Sequence, residues 1–339
     1  MPERSRVAGR IERSWHDARP LLVLRPLAWL FRAVVALRRF AFGIGLLRAV
    51  HPGVPVVVVG NLTAGGTGKT PLSLWLAQRL REQGLRPGIV LRGYGGRQRT
   101  PRRVQPLDDA ATVGDEAVLL ARRAGCPVVV GARRAAAAQL LVAEGCDIVI
   151  ADDGLQHLAL ARDLAVLVID GERGFGNGAL LPAGPLREPA SRLHAADLVV
   201  MHGEDRRHVL PAGSRRLSMR LVPVALHEVG SGGALPLHAL QGRTVHALAG
   251  IGHPQRFFAL LRELGATPLC HPLPDHHVPG PATLDLPGGH WIVMTEKDAV
   301  KCRVLAAGRN DLYYLQVGAA LPDADAAHLL DRVLSLRRT

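Results

Sequence analysis

Aromatic residues make up 4% of this 339-residue chain, and cysteines number only four. Cys126, Cys146, Cys270 and Cys302 are far apart and form no C-x-x-C pair. That excludes a disulfide framework and a zinc ribbon, and it fits a reducing compartment. With so few rings on which to stack bases, nucleic acid is not an expected partner. No apolar run reaches the roughly 18 uncharged residues that a membrane-spanning helix needs. There is no Gly-X-Y period. Acidic residues are also scarce, 29 against 42 Lys and Arg, for a formal net charge of +13. Such a balance calls for an anionic partner, either a phosphorylated substrate or anionic lipid. A nucleic-acid binder that uses ATP as a switch is the rival reading that charge alone suggests.

The basic excess is concentrated. Residues 1–50 hold ten arginines against Glu3, Glu12 and Asp17. Within 21–50 the chain is strongly apolar but broken by Arg25 and Arg32, so it reads neither as a spanning helix nor as a cleaved signal. At 100° per residue Arg25, Arg32 and Arg39 share one stripe, while Leu27, Leu30, Phe31, Val34, Leu37 and Ala41 cluster opposite. Two readings are open: a basic amphipathic helix lying in a membrane interface, or a helix docking its apolar face on the protein's own core.

From residue 54 onward, short apolar β-branched runs alternate with helical segments. Strands are expected at 54–59, 88–91, 128–130, 147–151, 164–170 and 197–201, with helices at 71–83, 115–124 and 132–144. Continuous apolar runs mark strands covered on both faces, hence an α/β fold with a mainly parallel sheet and helices on each side. The stretch 205–242 breaks this rhythm with Pro211, Pro223, Pro236 and glycines at 230, 232 and 233. The organisation expected is an N-terminal segment 1–50, a nucleotide-binding domain 51–210, linker strands 211–242 and a smaller α/β domain 243–339. A monomer is expected.

Residues 60–70 read GNLTAGGTGKT, directly after one strand and before a helix. Glycines let backbone N–H groups turn toward phosphate oxygens, and the helix N-terminus adds a favourable dipole. Thr63, Ala64, Gly65, Gly66, Thr67, Gly68, Lys69 and Thr70 are therefore the expected ATP cradle. Lys69 is placed to bridge the β- and γ-phosphates, and the Thr70 hydroxyl to bind Mg²⁺. Thr63 stands where the strict motif has glycine. Asp152 and Asp153 end an apolar strand and are the expected carboxylates for Mg²⁺, since open α/β sheets bind ligands at that edge. Guanine specificity would need N/T-K-x-D, and Thr295-Glu296-Lys297-Asp298 has Glu in the Lys position. H-R-D and D-F-G are absent, which excludes a protein kinase. A P-loop ATPase or a small-molecule kinase is left.

Further polar groups fall at strand and loop ends: RGYGGR (92–97), GDE (114–116), GARR (131–134), PAGPLREP (182–189) and DHH (275–277). Arg133, with Arg134 as the alternative, and Arg187 are candidates to neutralise the transferring group or to hold a substrate phosphate, because the guanidinium fork binds phosphate bidentately. Glu188 could orient Arg187, and Glu116 could steer a metal or a nearby basic group.

Taken with VGNLTAGGTGKTP (59–71), DDGLQHLALARD (152–163), GNGALLPAGPLREP (176–189) and TEKDAVKC (295–302), these segments resemble the tetraacyldisaccharide 4′-kinase family. The family's phosphate loop also lacks the first glycine, and Leu91 and Leu158 are minor departures. The resemblance implies ATP-dependent phosphorylation of the 4′-hydroxyl of a tetraacylated glucosamine disaccharide 1-phosphate, giving lipid IVA. It also implies a peripheral enzyme on the cytoplasmic face of the bacterial inner membrane, which settles the expectation for 21–50 on the membrane. It assigns the base to an Asp–His pair, here Asp115 and His276. A kinase or ATPase acting on another small acceptor is the alternative.

Overall fold

The computed structural model describes residues 11, 14–16, 20–211, 213–274 and 277–337. Its strands are β1 (Val56–Gly60), β2 (Pro87–Leu91), β3 (Arg102–Arg103), β4 (Val128–Val130), β5 (Ile148–Asp152), β6 (Leu164–Asp170), β7 (Leu198–His202), β8 (Leu217–Glu228), β9 (Ala234–Leu235), β10 (Thr244–Ala249), β11 (Thr267–Pro272), β12 (Trp291–Thr295) and β13 (Leu312–Ala320). They form one sheet in the order β11-β10-β12-β13-β8-β7-β6-β1-β5-β2-β4-β3, with β9 beside β8. Only the β3–β4, β8–β13 and β8–β9 pairs are antiparallel. The mainly parallel α/β sheet expected from the apolar runs is the one observed. β8 lies within the irregular stretch. Its first residues pair with β7 and the remainder with β13, so a single strand carries the sheet from one half into the other.

Among the described residues the α-helices longer than one turn are α1 (Arg25–Gly43), α2 (Lys69–Glu82), α3 (Asp115–Arg123), α4 (Arg134–Ala143), α5 (Pro254–Glu263), α6 (Glu296–Cys302) and α7 (Asp323–Ser335). Alternation along β1 sorts them. Val57 and Val59 face a core shared with Leu72, Leu76 and Leu80 of α2 and Val118 and Leu120 of α3. Val56 and Val58 face the opposite core, which contains Ala137, Ala138 and Leu141 of α4. The second half packs Phe257, Phe258 and Leu261 of α5 on Val245, Ala247 and Val293. The last helix does not stay there: Leu329 and Val333 of α7 enter the α2–α3 core. The chain after 243 thus returns at its end to the first half, because these two side chains find their apolar cover only on that face.

The reading of 21–50 as a helix docked on the protein's own core holds for part of α1. A narrow stripe docks, with Leu24, Ala28 and Phe31 packed on the α4-side core. The broader apolar face is bare: Leu27, Trp29, Leu30, Val34, Leu37 and Phe40 are each more than half exposed. A contiguous apolar surface of this kind marks an interaction site. Among the described residues no helix is long and apolar enough to cross a membrane.

Candidate active site

β1 runs into the glycine loop, and α2 begins at Lys69. Gly68 makes the junction in the left-handed region, at φ 95°, and a Cβ there would come within 2.9 Å of Met219 Cε. Only glycine meets both demands. The start of the loop is held from outside. Ala64 N donates to Pro185 O (2.7 Å) and Arg187 N donates to Leu62 O (2.7 Å), so the PAGPLREP segment lies along the phosphate loop. Ala64 to Thr70 line a cavity of about 1660 Å³ between the two halves, and Thr63 is buried behind them.

β5 pairs with β1 so that Asp152 stands opposite Val59. This brings Asp152 to the first turn of α2, where its Oδ2 accepts from Thr70 Oγ1 (3.0 Å) and its Oδ1 from Ser73 Oγ (3.0 Å). Burial, then the nearby Glu116, pushes the Asp152 carboxyl up to about 6. Asp153 turns the other way through a left-handed backbone, φ 50°. Arg187 Nη1 reaches both of its carboxylate oxygens (2.9 and 2.8 Å), Lys69 Nζ lies 3.6 Å from Oδ1, and Arg134 Nη1 donates to the Asp153 carbonyl (2.8 Å). Burial alone would raise Asp153, but Lys69, Arg187 and Arg134 outweigh it and hold the carboxyl well below the usual range.

The donor set fits Mg²⁺. Asp152 is a buried carboxylate that costs free energy to ionise without a cation, and it already touches the Thr70 hydroxyl. Glu116 lines the same cavity. Among the described residues no group of three His, Cys, Asp or Glu could cage a metal. Mg²⁺ does not require one, since it takes one or two carboxylates plus phosphate oxygens and water.

Asp115 opens α3 and is buried, with Oδ1 accepting from Glu116 N (2.9 Å). Across the cavity, α6 brings Lys297 to 3.3 Å from Glu116 and 4.0 Å from Asp115, and Lys301 to 3.9 Å from Asp115. The TEKD segment therefore ties the second half to GDE of the first. His276, expected beside Asp115, lies outside the described residues. Of the paired arginines, Arg134 is buried and lines the cavity; Arg133 is exposed, as the residue capping α4, and is not among the lining residues. One residue of helix phase separates the two positions. Glu188 is buried, 3.8 Å from Arg39 of α1 and 4.0 Å from Arg192, so it joins α1 to the segment carrying Arg187.

Sequence reasoning missed Asp170, Glu172, His202 and Arg256. Asp170 had a usable signal: it ends β6, the other neighbour of β1, as Asp152 ends β5.

The family model described as tetraacyldisaccharide-1-P 4′-kinase matches residues 20–335. The chain is similar to the tetraacyldisaccharide 4′-kinase of Alkalilimnicola ehrlichii, 52% identical over 297 residues and 87% of each chain. It is similar also to that of Methylobacillus flagellatus, 44% identical over 330 residues and 96% of each chain. Among solved structures it resembles LpxK from Aquifex aeolicus, described as an "apo" form in complex with ATP. The TM-score is 0.75 at 26% identity, covering 92% of this chain and 98% of that one.

The raised Asp152 carboxyl has a worked sign. Its native affinity for a proton exceeds the unfolded one, so without a cation it costs stability above about pH 6, and that cost fades as pH falls toward 3.8. Asp152→Asn is expected to melt at or above the parent's temperature at pH 7.5, with the difference gone near pH 4. The same variant is expected to lose the melting-temperature rise that Mg²⁺ and nucleotide give the parent. Differential scanning calorimetry across pH, with and without Mg²⁺–nucleotide, checks both.

Proposed function

The chain belongs to the tetraacyldisaccharide-1-P 4′-kinase family, and we propose that its phosphate cradle passes the γ-phosphoryl group of ATP to the 4′-hydroxyl of a tetraacylated glucosamine disaccharide 1-phosphate. It is an ATP-dependent kinase of lipid A biosynthesis, and the product is lipid IVA. The observation that carries the reading is one shared cavity. Its wall includes Lys69, Thr70 and Asp152 at one part and Phe31, Val34 and Val35 of the exposed amphipathic helix at another. A phosphoryl donor and a greasy acceptor can meet in it.

Phosphoryl transfer needs positioning and charge neutralisation more than covalent chemistry. Lys69 exchanges Asp153 for the β- and γ-phosphate oxygens. Arg187 and Arg134, gathered around Asp153, add positive charge on that side, while Arg133 stays at the surface. Asp152 and Thr70, with Glu116 nearby, would hold Mg²⁺, which when bound neutralises phosphate charge. The 4′-oxygen forms a bond to the γ-phosphorus as the bond from that phosphorus to the β–γ bridging oxygen breaks. The leaving ADP keeps the electron pair. The hydroxyl proton passes to His276, the base that the family pattern assigns, and buried Asp115 orients it and stabilises the imidazolium, as in other carboxylate–imidazole pairs.

The bare face of α1, flanked by arginines, lies in the interface of the cytoplasmic leaflet of the inner membrane, where each Lys or Arg near an anionic surface contributes about 1 kcal/mol. The enzyme acts as a monomer in this reading.

Labelled ATP and the acceptor in detergent micelles should give a doubly phosphorylated lipid. Lys69→Ala should lower kcat/KM by about 10²–10³, and parent-like turnover in that variant would overturn the role of the cradle. Asp115→Asn should lower kcat about 10²-fold or more with ATP affinity little changed, read by initial rates against direct nucleotide binding. Replacing Leu30 and Leu37, 63% and 69% exposed, by Glu should abolish co-flotation with anionic vesicles at an unchanged melting temperature; undiminished flotation would refute the membrane role of α1.

A further inference from the structure

Asp170 closes β6 on the side of β1 opposite to Asp152, is 2% exposed, and has no part in the chemistry above. Its partner comes from the second half. Arg256 on α5 donates Nη2 to Asp170 Oδ1 (2.9 Å) and Nη1 to Asp170 Oδ2 (3.1 Å), and Nη2 also reaches Glu172 Oε2 (2.9 Å). His202, at the end of β7, places Nδ1 3.1 Å from Arg256 Nη1 and 3.2 Å from the carbonyl oxygen of Thr67 in the phosphate loop. The segment leading into α5 touches that loop directly. A Cβ at Gly252 would lie 3.1 Å from Gly66 N and 3.3 Å from Gly65 Cα. Arg173 Nη1 donates to the Gly252 carbonyl (2.9 Å), which pins the same segment to the turn after β6.

We propose that Arg256 is a positioning residue for the nucleotide: anchored on Asp170 and Glu172, it clamps residues 250–256 of the second half over the phosphate loop. The proposal rests on the cradle's binding ATP, as argued above, and not on the identity of the acceptor. The fork geometry matters because only a guanidinium reaches both oxygens of Asp170 and a second carboxylate at once. Opening the clamp would leave the Asp170 charge buried without its cation, held only by the N–H groups of Glu172 and Arg173, so the closed arrangement is favoured. The clamp also reaches the loop backbone. A neutral imidazole carries one ring proton, so Nδ1 either donates to Thr67 O or accepts from Arg256, never both. Burial and then Arg256 lower His202 to about 4, which keeps the ring neutral and the competition real.

The test uses the full chain without lipid, titrating a non-hydrolysable ATP analogue with Mg²⁺ by calorimetry, alongside kcat and both KM values in the complete assay. Arg256→Ala should weaken analogue binding about tenfold, inside the 5–150-fold span usual for coupled sites. Arg256→Lys should not restore it. Glu172→Gln, at a half-buried position that leaves Asp170 paired, should cost a smaller loss at an unchanged melting temperature. Asp170→Asn added to Arg256→Ala should cost little more than either alone, because the two act as one unit. KM for the acceptor should stay at the parent value. Analogue binding within twofold of the parent in both Arg256→Ala and Glu172→Gln overturns the proposal. So does a loss in Arg256→Ala that appears only with a collapsed melting temperature while Glu172→Gln binds normally. A chain that binds the analogue as expected but phosphorylates no glycolipid would sink the functional reading and leave the clamp standing.

Discussion

Two carboxylates adjacent in the chain, Asp152 and Asp153, have their proton affinities shifted in opposite directions, and the site is organised around that difference. A regular strand already sends consecutive side chains to opposite sides, and the left-handed turn at Asp153 completes the separation. Asp152 is sent inward to the first turn of α2, where hydroxyls are its hydrogen-bond partners and burial resists its charge. Asp153 is sent toward Lys69 and Arg187, which keep it ionised. The result is one oxygen pair met chiefly by hydroxyls and another surrounded by cationic side chains. A cation suits the first, and a polyphosphate that displaces Asp153 from Lys69 suits the second. Strain at Asp153, of the order of 1 kcal/mol for a non-glycine residue at positive φ, is a small cost for separating the two roles.

Beside the cavity the halves meet through charge. Lys297 faces Glu116, Arg123 contacts Glu296 at 2.7 Å, and Arg256 holds Asp170 and Glu172. Behind the cavity the contact is apolar: Leu329 and Val333 of α7 and Val300 of α6 sit in the α2–α3 core, and the single strand β8 carries the sheet across. The cavity therefore lies where groups of both halves are held within reach of one another, Lys297 beside Glu116 and Arg256 beside Asp170.

What could be read from the sequence was what repeats locally. The apolar runs that became β1, β5 and β6 were legible because burial on both faces leaves no polar position. The cradle at 63–70 was legible because strand, glycines, Lys and helix are consecutive. The acid at a strand's end was legible for Asp152, and the same rule would have flagged Asp170, whose partner Arg256 lies 86 residues away on an otherwise ordinary amphipathic helix. The choice between Arg133 and Arg134 depended on where α4 begins, and helix starts are the least legible feature of a sequence. The return of α7 to the first core was hidden for a different reason. Its periodicity tells which face is apolar but not what covers it.

The same ambiguity applied to α1, and energetics bears on the membrane role proposed for it. Each acyl CH₂ moved from bilayer to water costs about 0.8 kcal/mol, so extracting a tetraacylated lipid whole would exceed any affinity a protein site reaches. A kinase for such an acceptor must leave the acyl chains in an apolar phase and draw up only the sugar. That demands an apolar surface continuous with the catalytic cavity and open to the outside. Docking α1 completely would have closed that path. Docking only Leu24, Ala28 and Phe31 fixes the helix to the protein, and the free face beginning at Leu27 and Leu30 remains available at the cavity edge where Val34 and Val35 line the wall. Partial burial of an amphipathic helix, a defect by the standards of a folded core, is the arrangement that the proposed approach to a membrane-held acceptor requires.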